Sequence, residues 1–144
     1  MRANGVALGW LLVMGLAQPL CAGAEVDDRR ARIDYMLNCQ GCHLPNGEGA
    51  GDVPRMTDFV GNFLKVAGGR EFLVQVPGSA NAPLEDQRLA ELLNWMLDEI
   101  SRNQLPADFR PYTAEEVAKY RTLPLRDVLK TRAQLVQKIA LLPR

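Results

Sequence analysis

Two cysteines three positions apart, with a histidine directly after the second, make up the stretch Asn38-Cys39-Gln40-Gly41-Cys42-His43. Three chemistries use such a spacing. A pair of cysteines separated by two residues can cycle as a redox dithiol. It can also form half of a tetrahedral zinc site. With a histidine next in line, it is the attachment pattern for a covalent haem. In that last case the cysteines, near a helix end, reach both vinyl groups of one porphyrin and form thioethers. The histidine falls under the iron as its proximal ligand, and its other ring nitrogen needs an acceptor to fix its orientation.

The rest of the inventory separates these chemistries. The chain of 144 residues has one histidine and three cysteines. The first cysteine, Cys21, lies in a segment with the features of an export signal: Arg2, then a nearly unbroken apolar run from Gly5 to Ala17, then the small-x-small site Ala22-Gly23-Ala24. The run is short for a membrane span. Gln18-Pro19-Leu20 lacks the small residues that precede a lipid-modified cysteine. Cleavage is expected before Glu25, so residues 1–24, Cys21 included, leave the mature chain. What remains is Cys39, Cys42 and His43, too few ligands for a zinc site. Nothing before Cys39 reads as a strand, the usual setting of a redox dithiol. Haem attachment is the chemistry left, in a periplasmic or otherwise exported protein with no transmembrane segment after cleavage. Two thiols left free in that compartment would tend to pair.

The elements around the motif are helical. Asp27 to Asn38 reads as a helix capped by Asp27 or Asp28, with Ile33, Met36 and Leu37 as its apolar stripe. Glycines 41, 47, 49 and 51, with Pro45 and Pro54, mark a loop. A short helix is expected over Asp58–Val66, capped by Thr57 or Asp58, with Phe59, Phe63 and Leu64 on one side. Gly68-Gly69 breaks the chain before a turn of helix over Arg70–Val76, and Pro77–Pro83 is expected as loop. Leu84–Ser101 carries the widest apolar face: Leu89, Leu92, Leu93, Met96, Leu97 and Ile100. Thr113-Ala114-Glu115-Glu116 is a capping box. Leu125–Leu142 reads as a further amphipathic helix, with Leu125, Val128, Leu129, Leu135, Val136 and Ile139 on one side. No strand pattern occurs. The charges balance, 17 basic against 17 acidic, so no basic excess argues for nucleic acid.

From Ala31 to about Ser101 the chain resembles the class I cytochromes c. In that family the first helix crosses the last at a small residue with an aromatic pair beside it. Ala31 and Tyr35, with Leu92 and Trp95, fall at those places. The resemblance implies an all-α, cytochrome c-like fold around one covalently bound haem c. It implies that Pro54 offers its carbonyl to the proximal imidazole, that Met56 packs on the haem, and that Arg70 neutralises a haem propionate. The domains expected are a signal peptide over 1–24, a cytochrome c domain over 25–102, and over 103–144 an extension of two additional helices, packed on the haem domain or docking a partner.

One position departs from the family. The loop before the last helix ordinarily carries a methionine on the distal side of the iron, often as Met-Pro, and here the dipeptide is Val76-Pro77. Met56, Met96, Met36 and Lys65 remain as candidate sixth ligands, as does no side chain at all; Met56 and an open site lead. The resemblance implies a one-electron carrier between a dehydrogenase, oxidase or membrane complex and an acceptor, rather than an enzyme. It could also be the cytochrome subunit of a dehydrogenase. The missing methionine raises a second reading, a haem protein that binds or senses small ligands, with Gln75, Asn81 and Lys65 as possible donors above the iron. A peroxidase ranks last, since no distal histidine is available to move protons.

Overall fold

A computed structural model describes residues 27–123 and 125–143. The expected signal segment, 1–24, lies outside the described residues. Among the described residues seven α-helices follow one another: α1 Asp28–Asn38, α2 Gln40–His43, α3 Gly69–Gln75, α4 Pro77–Ala80, α5 Asp86–Ser101, α6 Ala114–Arg121 and α7 Val128–Ala140. Two 3₁₀ helices, Val60–Lys65 and Arg102–Gln104, complete the set, and the described residues contain no strand. The all-α cytochrome c-like expectation holds. No helix among them is long and apolar enough to cross a membrane.

α1 starts where Asp27 accepts a hydrogen bond from Arg30 N at 3.1 Å. It crosses α5 through Ala31, 2 % exposed, and Tyr35, 1 % exposed. The Tyr35 ring meets Trp95 of α5 at a centroid distance of 5.6 Å and an interplanar angle of 55°. A small residue lets the backbones approach, and the tilted aromatic pair fills the wedge beside them. Asp34 is buried on the same face, where the Arg88 guanidinium forks onto its carboxylate. The apolar stripe expected at Ile33, Met36 and Leu37 is instead exposed, Leu37 to 77 %. Position, not hydrophobicity, decides this. α1 packs on α5 and α2, and the crossing selects residues 31, 34 and 35, one helical turn apart.

The segment expected as a helix over 58–66 is a 3₁₀ helix starting two residues later. Asp58 adopts a positive φ of 54°, which ends any regular helix before it. Thr57 does not cap; its hydroxyl donates to the Asn46 carbonyl. The 3₁₀ helix is tied to α5 by Gly61 N, which donates to the buried Ser101 Oγ at 2.9 Å. Gly69 opens α3 under the same helix. A Cβ there would stand 1.9 Å from the Phe63 carbonyl oxygen, so only glycine lets the two elements close. Pro77–Pro83, expected as loop, contains the single turn α4, with Pro77 in the first helical position where its missing N–H costs nothing.

α5 is the central helix. Leu89, Leu92, Leu93, Met96 and Leu97 are all buried, each contributing roughly 1.5–3 kcal/mol of apolar burial. The chain after it folds back onto the rest. Asn94 Oδ1 accepts from Tyr112 N at 2.7 Å, and Asn94 Nδ2 donates to Tyr112 O at 3.0 Å. Thr113 caps α6 by accepting from Glu116 N at 3.2 Å. α6 packs on α5 and α3 through the fully buried Val117. α7 packs on the Val60–Lys65 helix and α3 through Leu135. It begins at Val128, later than expected, because Asp127 caps it by accepting from Lys130 N at 2.9 Å. Leu129, expected on its buried face, is 81 % exposed.

Glu116 turns away from the capping box and pairs with Arg70 of α3. Arg70 Nη2 donates to Glu116 Oε2 at 2.7 Å, Nη1 to the Arg110 carbonyl at 2.8 Å, and the guanidinium lies 4.0 Å over the Tyr112 ring. The Tyr112 hydroxyl donates back to the Arg70 carbonyl at 2.9 Å. Replacing Arg70 with alanine removes all of this and strands a half-buried carboxylate. The expected loss is about 2–3 kcal/mol of stability in urea unfolding. Arg70→Lys should recover only part of it, since an ammonium cannot reproduce the fork.

Candidate haem site

The end of α1 places the two cysteines. Cys39 N donates to the Tyr35 carbonyl at 2.9 Å, and the chain then turns into α2, where Cys42 N and His43 N both donate to the Cys39 carbonyl, at 3.1 and 2.9 Å. Cys39, Cys42 and His43 therefore sit on one turn. Leu44, at a φ of 64°, stops it. The Tyr35 hydroxyl holds that stop by donating to the Leu44 carbonyl at 2.7 Å. Burial pushes the Tyr35 phenol up to about 12, with the nearby Cys39 adding to the shift, so at neutral pH it is a donor.

A loop then returns the chain to His43. Gly49 N donates to the His43 carbonyl at 3.1 Å, and Met56 N donates to the Gly47 carbonyl at 2.7 Å. Gly49, at a φ of +76°, packs so closely that a Cβ would lie 2.3 Å from the Val53 carbonyl oxygen and 2.9 Å from that of Pro54. Both the dihedral and the contact require glycine. The tight loop sets Pro54 beside the imidazole.

These residues open into one cavity of about 300 Å³. Cys39, Cys42, His43, Pro54 and Met56 line it from one end of the chain, and Val60, Phe63, Phe72, Leu73, Leu89, Leu92, Leu93 and Met96 supply an apolar interior. Both thiols are free, Cys39 half-buried and Cys42 exposed. Burial pushes the Cys39 thiol up to about 11, with Asp34 and Cys42 adding to the shift. Burial also holds the His43 imidazole below its ordinary range; the Pro54 carbonyl acts in the opposite sense. That carbonyl is close enough to act on the ring, yet Nδ1 is buried with no partner in hydrogen-bond geometry. An imidazole at the edge of an apolar cavity, with two thiols lining the same space, fits a porphyrin bound through iron and thioethers.

The other expected residues divide. Met56 and Met96 both line the cavity; Met36, Lys65, Gln75 and Asn81 do not. Met36 is exposed, and Lys65 Nζ donates to Asn62 Oδ1 at 3.0 Å. Arg70, expected at a propionate, is not brought to the cavity. Glu116, two backbone carbonyls and the Tyr112 ring occupy its guanidinium instead.

The far wall is the segment 76–82, where Val76, Pro77, Gly78, Ser79 and Ala82 face the cavity. Arg121, at the end of α6, holds that wall. It donates to the carbonyls of Ala80 at 3.2 Å, Ala82 at 2.7 Å and Leu84 at 2.8 Å, and to Asp86 Oδ1 at 2.8 Å. No spacing in the sequence points to this, since the partners lie some 35 to 41 positions away.

Comparison with known proteins decides the family. A cytochrome c-552 of Thermus thermophilus is 31 % identical over an alignment that spans 89 % of this chain and 95 % of the relative. The chain belongs to the c-type cytochromes. A second cytochrome c-552 of the same species is 33 % identical, over 67 % of this chain and 90 % of the relative. No protein-family model matches. The longer alignment leaves out so little that it takes in more than half of residues 103–144. The cofactor of this cytochrome is covalently bound haem c, whose iron supplies one-electron chemistry, and the protein is an electron carrier.

Arg121→Ala leaves three carbonyls and Asp86 without their cation. Charged hydrogen bonds contribute about 1.5–3 kcal/mol. Amide hydrogen exchange at Asn81, Ala82 and Leu84 is therefore expected to speed up roughly tenfold or more. Exchange in the middle of α5 should stay near wild type.

Proposed function

We propose that this cytochrome is an exported carrier in which Cys39 and Cys42 form the two thioethers and His43 is the proximal iron ligand. It passes single electrons between a dehydrogenase or respiratory complex and an acceptor. The observation that carries the reading is the convergence of Cys39, Cys42 and His43 on one apolar cavity, with the buried His43 Nδ1 turned away from iron and left for the Pro54 carbonyl. In it, Pro54 orients the imidazole through its carbonyl, and the apolar walls exclude water and so favour the reduced state. Cys42 is exposed, so the haem edge it holds meets solvent, and an electron can leave there through a small, transient interface. Residues 103–144 serve as a wall of the haem domain more than as a separate module.

Met56 is the sixth ligand in this reading, because it lines the cavity from a loop and not from the packed face of α5. A second reading has its own observation. The far wall, Val76 to Ala82, brings no ligating side chain to the cavity, which leaves the iron open to a small diatomic ligand.

Three measurements test these roles. Mass spectrometry under denaturing conditions should find one haem on wild type and none on Cys39→Ala/Cys42→Ala. A covalent haem on that double variant would refute the attachment sites. The carrier reading expects a far-red methionine-to-iron band in the ferric protein, lost in Met56→Leu, with little carbon monoxide uptake by the ferrous protein. A high-spin ferric spectrum with fast carbon monoxide binding would move the assignment to the second reading.

A further inference from the structure

Haem c carries two propionate carboxylates, and the cavity supplies no acidic side chain: none of the described residues lining it is Asp or Glu. The titratable and charged groups that do line it are Cys39, Cys42, His43, Arg55 and Arg132. Two of these are permanent cations. Arg55 is already engaged, with Nε 3.4 Å from Glu48 Oε2 and Nη2 3.3 Å from Asp58 Oδ2, and its side chain is more than half exposed at 53 %. Arg132 differs on each count. It is partly buried, and no carboxylate of the described residues lies within ion-pair distance of it. Its guanidinium stands 6.0 Å from the centroid of the Phe59 ring, the residue before the 3₁₀ helix. Val128, one turn earlier on α7, also lines the cavity, so this face of α7 forms part of its rim.

A partly buried carboxylate without a partner is costly, and so is a partly buried guanidinium. Each lacks what the other supplies, and a planar fork is the side-chain geometry suited to a carboxylate. We propose that Arg132 is the partner of a haem propionate, which makes α7 the element that closes the propionate edge of the cofactor. The expected propionate partner, Arg70, is spent on Glu116; its place is taken by an arginine from the C-terminal helix. The pairing also bears on the redox equilibrium. A cation beside a propionate offsets the carboxylate's preference for the more positive ferric haem, so Arg132 favours the ferrous state.

The proposal rests on the attachment reading above, and the two fail differently. If attachment fails, wild type carries no haem at Cys39 and Cys42. If the present proposal fails, the haem is bound and indifferent to Arg132. The test uses holoprotein variants Arg132→Gln, Arg132→Lys and Arg55→Gln. It reads spectroelectrochemical titration together with the propionate bending band in resonance Raman. Arg132→Gln should raise the ferric-to-ferrous ratio at a fixed ambient potential by roughly threefold or more and shift the propionate band. Arg132→Lys should restore most of the ratio while the band stays shifted, because an ammonium keeps the charge and not the fork. Arg55→Gln should change both far less. An unmoved band in Arg132→Lys would overturn the proposal even if Arg132→Gln failed to fold. So would a larger response from Arg55→Gln than from Arg132→Gln.

Discussion

The crossing of α1 and α5 is the contact on which the rest depends. α1 ends in the turn that carries Cys39, Cys42 and His43, while α5 forms the apolar back of the cavity. The angle and distance between them therefore fix where His43 stands relative to the cavity. Ala31 allows the close approach, Tyr35 and Trp95 fill the wedge, and the Asp34–Arg88 pair keys the register. Tyr35 then does a second job, since its hydroxyl holds the Leu44 carbonyl at the far end of the attachment turn. One buried side chain couples helix packing to the placement of the histidine. A change at the crossing would reach the haem without touching it.

Arginines carry the second constraint. A small domain with a large apolar cofactor leaves many backbone carbonyls on short connections without helical partners. Here Arg70 takes the Arg110 and Pro111 carbonyls, and Arg121 takes those of Ala80, Ala82 and Leu84. Both join the chain before Ser101 to the chain after it. The C-terminal segment is thus part of one hydrogen-bonded unit with the helices before it, and its Val117 and Leu135 sit in the same core.

What could be read from the sequence was local. The attachment turn, the Asp27 cap, the Thr113 cap and the apolar face of α5 each need only a few neighbouring residues, and each formed. Ala31 and Tyr35 with Leu92 and Trp95 were legible because a resemblance supplied the pairing that spacing alone lacks. The errors were tertiary. Ile33, Met36 and Leu37 look like a core stripe until one knows that α1 offers only one face to α5. The ion pair of Arg70 with a half-buried glutamate on α6 was likewise beyond local reading. The role of Arg121 was invisible, because nothing about an arginine at a helix end names carbonyls so distant in the chain.

The Arg121 arrangement bears on how the cavity wall from Val76 to Ala82 is held. Where a loop residue ligates iron, the metal bond itself holds the loop. Val76, Pro77, Gly78, Ser79 and Ala82 carry no iron-ligating group, so this segment has another anchor. α4 contributes one turn, and Arg121 contributes three carbonyl contacts and an ion pair to Asp86. Because these bonds are made to backbone, they constrain the wall whatever side chains it carries. They also do not depend on the oxidation state of the iron. The wall's stability is thereby separated from the iron's ligation. The same fold can then take its sixth ligand from elsewhere in the cavity, or take none, without losing the surface that keeps water out.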